Sequence, residues 1–398
     1  MIKMELNVKK VQELIDEGVI FPPLDGNHGE KHPKTSDYVD EGIPFILVPD
    51  LVDGVVDLEH CNHITKAQAS TLNKGISKTG DVLFTHKATI GKVALVDTKA
   101  YEYIVLTPQV TYYRIKDPAI LDNKYLYYYF KSNYFQDTFK LFASSGGTRD
   151  YLGIVAQRKL PIIFPSISIQ KNIVSILSPY DDLISNNNKR IKILEQMAEN
   201  LYKEWFVRFR FPGYEKAEFV DGVPRNWSVT KLGKVAYIST GKCNRQDAEE
   251  DGEYPLFDRS QEIKKSSVWI KDCEAIIIPG EGTSFIPRYY VGKFNLHQRC
   301  YCVEPMKEGI GKFLLYMLNY NKQYFFSVAT GATVPSLRLN NFTMLKFVMP
   351  DQEICRKFDM IIGNLFEMID FLRQQNQNLI KQRDLLLPRL MSGKLEIG

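Results

Sequence analysis

The sequence predicts an α+β protein of two globules separated by a two-helix antiparallel coiled coil, with an internal pseudo-twofold repeat. Three observations predict it: self-similarity at a shift of 185 positions, two segments whose apolar residues step by four and three, and short β-type runs broken by Gly and Pro ahead of each such segment. The shift superposes Gly146 on Gly331, Thr148 on Thr333, Leu152 on Leu337, Leu160 on Leu345, Pro165 on Pro350, Ile169 on Ile354 and Ile176 on Ile361 without a gap.

The first apolar seam reads Ile173, Leu177, Tyr180, Ile184, Asn187, Ile191, Leu194, Ala198, Leu201 and Trp205. The second reads Phe358, Ile362, Leu365, Ile369, Leu372, Asn376, Leu379, Arg383, Leu386 and Leu390, each 185 positions after its counterpart. A four-three step is the seam of a coiled coil. Ser178-Pro179 followed by Asp181 and Asp182 reads as a helix start, because Ser caps, Pro fits the first turn and acids complement the positive end of the dipole. The first long helix is therefore expected from Ser178 to about Phe209, where Pro212 and Gly213 end it, and the second from about Gly363, fraying after Pro388.

Single helices of about 28 residues are marginal alone, so they should pack on each other. The intervening globule lets the chain return antiparallel. Ile173 then opposes Leu390, Trp205 opposes Phe358, and Asn187 meets Asn376 in a polar layer of the kind that fixes register. The runs DVLFT, VTYYRI and AIIIP read as strands and KYLYYYFKS and KFLLYMLNY as helices; Tyr125, Tyr127, Tyr128 and Tyr129 resemble a stacking cluster, but at helical spacing most of them read as core. The expected divisions are 1–165, a first globule; 166–210, a first spacer helix; 211–350, a second globule; and 351–398, a second spacer helix.

Composition narrows the class. A hydrophobic fraction of 44% with 22 Tyr and 23 Phe supplies area for at least two packed units, so a disordered chain is excluded. A net charge of +4 and a pI near 8.5 are compatible with nucleic acid without requiring it. The opening MIKMELNVKKVQELIDEG is amphipathic and lacks the apolar stretch of a signal peptide, and no run of eighteen apolar residues follows, which points to the cytoplasm. The six cysteines lack CxxC spacing and read as reduced thiols. His28 and His32 lie near carboxylates, but a structural or phosphate-facing role fits them better than a metal site, and Asp25-Gly26 reads as a turn. GISKTGDV from Gly75 has phosphate-loop spacing but places Asp81 where the Lys should stand.

Against this background the stretch GDVLFTHKATIGKVALVD from Gly80 resembles the GDILFTR...TIGKVAIV segment of Type I restriction-modification DNA specificity (S) subunits. DGNHGEKHP from Asp25 with EGIPFI from Glu41 resembles that family's DGxHxxP...GIPF opening. ILEQMAENLYKEWFVRFRFPG from Ile193 and QRDLLLPRLMSGKLEI from Gln382 resemble its two conserved helices. VPRNWSVTKLG from Val223 is similar to its VPxxWxxxxLG domain opening, and EAIIIPGEGTS from Glu274 is a weaker counterpart of the Gly80 segment. The family's Glu-Gln after the proline that ends each globule is reduced here to Ile169-Gln170 and Gln352-Glu353.

The resemblance implies two target-recognition domains that each read half of a bipartite asymmetric site in double-stranded DNA. It also implies partners: two methyltransferase (modification) subunits that bind S-adenosylmethionine, and restriction (motor-nuclease) subunits that use ATP and Mg. This chain would itself bind no cofactor and no metal and would not be an enzyme; no [DNS]PP[YFW] methyltransferase motif occurs in it. A self-sufficient methyltransferase-type enzyme and a coiled-coil scaffold without a DNA role stand as alternatives.

Base contacts need Arg, Lys, Asn, Gln, Ser or Thr on polar, Gly-bounded loops. The candidates are Thr85, His86 and Lys87 with Ser144, Ser145, Thr148 and Arg149 in the first globule, and Arg259, Ser260, Ser284, Arg288, Thr330, Thr333 and Arg338 in the second. Any one of these cations can equally be a solvated surface charge. On the helices, Glu195, Glu199, Lys203 and Trp205 at one end and Arg373, Gln377 and Arg383 at the other are candidates for an outer face that recruits the modification subunits.

Overall fold

The structure is a computed structural model and describes residues 5–98, 100–143, 151–331 and 333–395. The chain divides into two units, Met1–Ser185 with Asn376–Gly398, and Asn186–Gln375.

In the first unit a six-stranded sheet runs in the order Leu24–Asp25, Val110–Tyr113, Val82–Thr85, Val93–Leu95, Val55–Val56 and Leu51–Val52. A five-stranded sheet runs Tyr38–Val39, Asn62–Ile64, Ile43–Ile46, Ile104–Leu106 and Ile76–Ser77. The expected tyrosine helix spans Asn123–Lys131, and Tyr125, Tyr127, Tyr128 and Tyr129 are all buried there. Together with Asn133–Ala143 it covers Phe84 and Tyr113 in an aromatic cluster in which Phe84 and Phe139 stand edge-on at 4.4 Å.

The second unit carries one six-stranded sheet in the order Ala236–Thr240, Cys300–Pro305, Lys271–Pro279, Arg288–Leu296, Tyr254–Phe257 and Lys264–Ser266. Gly311–Tyr320 is the second expected helix, and its Phe313, Leu314, Met317 and Leu318 enter the core.

The repeat is structural. In the first unit Pro161–Phe164 pairs antiparallel with Asn7–Lys10, and 185 positions later Lys346–Met349 pairs with Ser228–Lys231, so in each globule the closing strand lies beside a strand near its start. Gly26 and Gly241 repeat a feature the shift does not align. Each follows a strand so tightly that an added Cβ would lie 2.0 Å and 1.7 Å from the carbonyl oxygens of Leu106 and Leu296. Gly26 is therefore a close backbone approach as well as the end of a strand.

The long helices also begin 185 positions apart, at Ile167 and Gln352. They span Ile167–Tyr202 (36 residues) and Gln352–Met391 (40 residues), each starting eleven residues before its expected start. Pro179 and Pro388 both lie inside a helix instead of opening or ending it. Packing overrides the local signal: Ile173 and Leu177, just ahead of Pro179, are buried in the first unit's core with Leu387 and Leu390. The first helix ends in a π-helical turn, Lys203–Val207, that carries Trp205 and Phe206 into the second core.

Every seam position is buried or half-buried, as its period requires. In the first unit the start of the first helix meets the end of the second; in the second unit Leu194 packs on Ile369 and Leu372, and Trp205 faces Phe358 at 5.9 Å, so the two helices run antiparallel in both units. Asn187 Nδ2 donates to Gln375 Oε1 at 2.9 Å, and Asn187 and Asn376 are both buried seam residues.

Candidate nucleic-acid interface

A single loop frame is built twice. In the first unit the backbone of Leu152 donates to His86 O at 3.0 Å and Lys87 bridges to Tyr151; in the second, Leu337 and Ser336, 185 positions after Leu152 and Tyr151, meet Gly280 and Glu281, 194 positions after His86 and Lys87, in the same two contacts, with Leu337 donating to Gly280 O at 2.8 Å. Lys87 and Glu281 thus occupy the same place in two copies of one frame. The next residues, Ala88 (φ 66°) and Gly282 (φ 118°), both take positive φ, so each loop turns at the same point. The frame is shared and its chemistry is not.

In the first copy only part of the expected set is open to a ligand. Lys87 is exposed, its Nζ 5.8 Å from the centre of the half-exposed Tyr151 ring. Thr85 and His86 are buried, which corrects their placement on an open loop. Thr85 ends a central strand and its Oγ1 accepts the Lys92 backbone N–H at 2.9 Å. His86 Nδ1 lies 3.1 Å from Leu152 O, and burial pushes its imidazole below the ordinary value although Asp25 pulls the other way. Its Nε2 has no protein partner among the described residues and stands 4.0 Å from the Asp25 carboxylate, which pairs with His28 at 2.8 Å. His32 packs on Phe45, and no group of three His, Cys, Asp or Glu able to hold a metal exists among the described residues. Ser144, Ser145, Thr148 and Arg149 lie outside the described residues.

In the second copy the candidates converge. Arg259, Ser260 and Ser284 line one cleft of 310 Å³ together with Asp258, Gln261, Glu281, Gly282, Thr283 and His297. Thr330 pairs with Ser336, and Gly282 donates from its backbone to Pro335 O, so the exposed Thr330, Thr333 and Arg338 belong to the loop bordering that cleft. Arg288 is different. Its Nη1 and Nη2 donate to the carbonyls of Ser260 (2.7 Å) and Asp258 (2.6 Å), and its guanidinium lies 5.1 Å over the Phe257 ring. Both terminal nitrogens are committed to the scaffold, so Arg288 shapes the cleft. Asp258 is held at about 2 despite its burial, because Lys264 and Ser260 bond its carboxylate.

Sequence reasoning missed Glu281 and Arg299. Glu281 was legible in the alignment of the Glu274 segment with the Gly80 segment, which sets it against Lys87; Arg299 carries no such signal.

Two of the helix residues are not on an outer face. Trp205 is buried among Phe206 and Phe358, and Arg383 is buried against Asp181 and Asp384. Both sit on the seam, where packing claims them. Glu195 and Arg373 form an exposed ion pair at 3.0 Å, Glu199 and Gln377 are exposed, and Lys203 is half-buried.

Two α+β modules with a common loop frame and divergent loop chemistry, each closed onto a long helix, define a duplicated recognition protein. A family model described as "Type I restriction modification DNA specificity domain" matches residues 24–196 and 224–382, and the chain belongs to that family. It is 26% identical to the Type I restriction enzyme MjaIX specificity subunit of Methanocaldococcus jannaschii, over 92% of this chain and 89% of that one. It is 23% identical to the HindI specificity subunit of Haemophilus influenzae, over 84% and 91%. The crystal structure of the Type I restriction-modification S subunit from M. genitalium matches with a TM-score of 0.57 at 18% identity, covering 98% of this chain and 97% of that one, which shows a shared fold.

Proposed function

We propose that this chain reads a bipartite, asymmetric site in double-stranded DNA, one half-site per globule, with the paired loop frames as the readers and the two long helices as the spacer. Lys87, Arg259, Ser260, Thr330, Thr333 and Arg338 are the proposed contacts, and Arg288 and His86 support the loops that carry them. The observation that carries this reading is the repeated frame with a charge of opposite sign at its equivalent positions, Lys87 and Glu281. Two frames of one shape and unlike chemistry suit two unlike half-sites.

The outer helix residues Glu195, Glu199, Lys203, Arg373 and Gln377 are the proposed docking points for two modification subunits, with restriction subunits joining that assembly in the cytoplasm. Catalysis belongs to those partners, which bind S-adenosylmethionine, ATP and Mg; the chain itself is a non-catalytic reader. Among the described residues no helix is long and apolar enough to cross a membrane.

Methylome sequencing of cells expressing this chain with its modification subunits tests the proposal. A split, asymmetric, adenine-methylated motif is the expected result; a continuous or palindromic motif, or none, rejects it. S-adenosylmethionine binding by the isolated chain would overturn the non-catalytic assignment.

A further inference from the structure

We infer that the second globule reads guanine through an arginine pair, Arg259 and Arg299, that Glu281 holds in place. The inference rests on the proposed DNA-reading function and specifies its chemistry. Glu281 is poorly exposed, with 14% of its side-chain surface open, and its two carboxylate oxygens are divided: Oε2 takes Arg259 Nη1 at 3.2 Å and Oε1 takes Arg299 Nη1. The arginines themselves are 44% and 53% open. Each spends one terminal nitrogen on the carboxylate, and among the described residues neither its Nη2 nor its Nε meets a protein acceptor.

Two such donors on one rigid edge match guanine O6 and N7, the pair of acceptors that arginine reads bidentately in the major groove. An arginine without a fixed partner must first be ordered, and the shared carboxylate has already done this. The cleft beside the pair also holds a buried Ser284 hydroxyl that has no protein partner among the described residues, a polar group that an incoming ligand or water would satisfy. Arg288 fixes the backbone of Asp258 and Ser260 on either side of Arg259, so the pair stands on a braced turn. The first globule cannot build this device at the equivalent place, because Lys87 stands where the carboxylate would be. Glu281 is therefore a positioning residue, and the arginines are the readers.

A free arginine edge also fits a DNA phosphate, and the test separates the two. The full chain, co-expressed with its modification subunits, is compared by methylome sequencing with Arg259→Lys, Arg299→Lys and Glu281→Gln, with binding to the recovered motif measured at fixed salt. The wild-type motif should contain guanine in one half-site. Each arginine variant should make guanine positions in that half degenerate, losing roughly 5- to 150-fold of discrimination, the worth of one bidentate contact. Glu281→Gln should relax the same positions and no others, a pattern that a general loss of folding does not produce. Arg→Lys at exposed positions leaves the core untouched, and a thermal melt of each variant records that. Uniform weakening across all sequences with an unchanged motif would assign the pair to phosphate and overturn the inference, as would a motif whose degenerate half contains no guanine. A wild-type chain that yields no bipartite motif would instead defeat the underlying function.

Discussion

Replacing Arg288 with Ala removes two part-buried, charge-assisted bonds to the Ser260 and Asp258 carbonyls and the contact with Phe257, whereas Arg259→Ala removes one exposed ion pair. We expect the first to cost about 2 to 4 kcal/mol of unfolding free energy and the second to stay within about 0.5 kcal/mol, measured by urea unfolding. Burial holds the His86 imidazole below its ordinary value, so below about pH 6.5 the unfolded chain takes up a proton that the folded chain refuses. The associated stability is present at neutral pH and lost as the pH falls through that interval. His86→Gln should reduce the difference between urea midpoints at pH 7.5 and 5.5; the reduction is partial because burial lowers His32 as well. These roles were not readable from the sequence. Thr85, His86 and Arg288 have the composition of ligand-reading loops, and only the strand end beneath Thr85 and the carbonyls facing Arg288 reveal them as supports.

The long helices were legible where periodicity governs and illegible where capping was trusted. The seam from Ile173 to Trp205 and from Phe358 to Leu390 followed from the step of four and three, because burial enforces it at every turn. Ser178-Pro179 is a sound local start signal, but Ile173 and Leu177 can reach the core only if the helix already exists there. Pro179 consequently sits in the helix interior without an N–H to donate, at a cost of up to about 3 kcal/mol. Pro179→Ala should raise the unfolding free energy by roughly 1 to 2 kcal/mol after the lost rigidity of the unfolded chain is discounted, read as a higher denaturant midpoint. Trp205→Ala should cost about 3 to 5 kcal/mol as a cavity mutation, while exposed Glu199→Ala should leave stability unchanged. A pull-down with modification subunits, run beside the melts, distinguishes loss of docking from loss of fold.

At the scale of the whole chain, the pairing of each closing strand with a strand near the globule's start makes each globule a segment that enters and leaves at one place. Exchanging residues 1–165 for another family member's segment should alter one half of the methylated motif and leave the other intact, provided the incoming globule accepts Leu387 and Leu390. Binding should also weaken with added salt, log K falling linearly with log salt concentration, as phosphate contacts require. The two-module plan was legible because duplication writes itself into both copies. Loop chemistry was not, because the two loops share a frame and little else.

Leu387 and Leu390 also set an order of events during synthesis. The first unit begins at the amino terminus, yet its apolar interior includes side chains from the last few turns of the second long helix. Every residue of the second unit is added before residues 376–398 that complete the first, so the portion made later can finish folding earlier. Nascent chains ending at position 375 and held on the ribosome by an added linker that spans the exit tunnel should resist protease in their later half and remain cleavable in their earlier one.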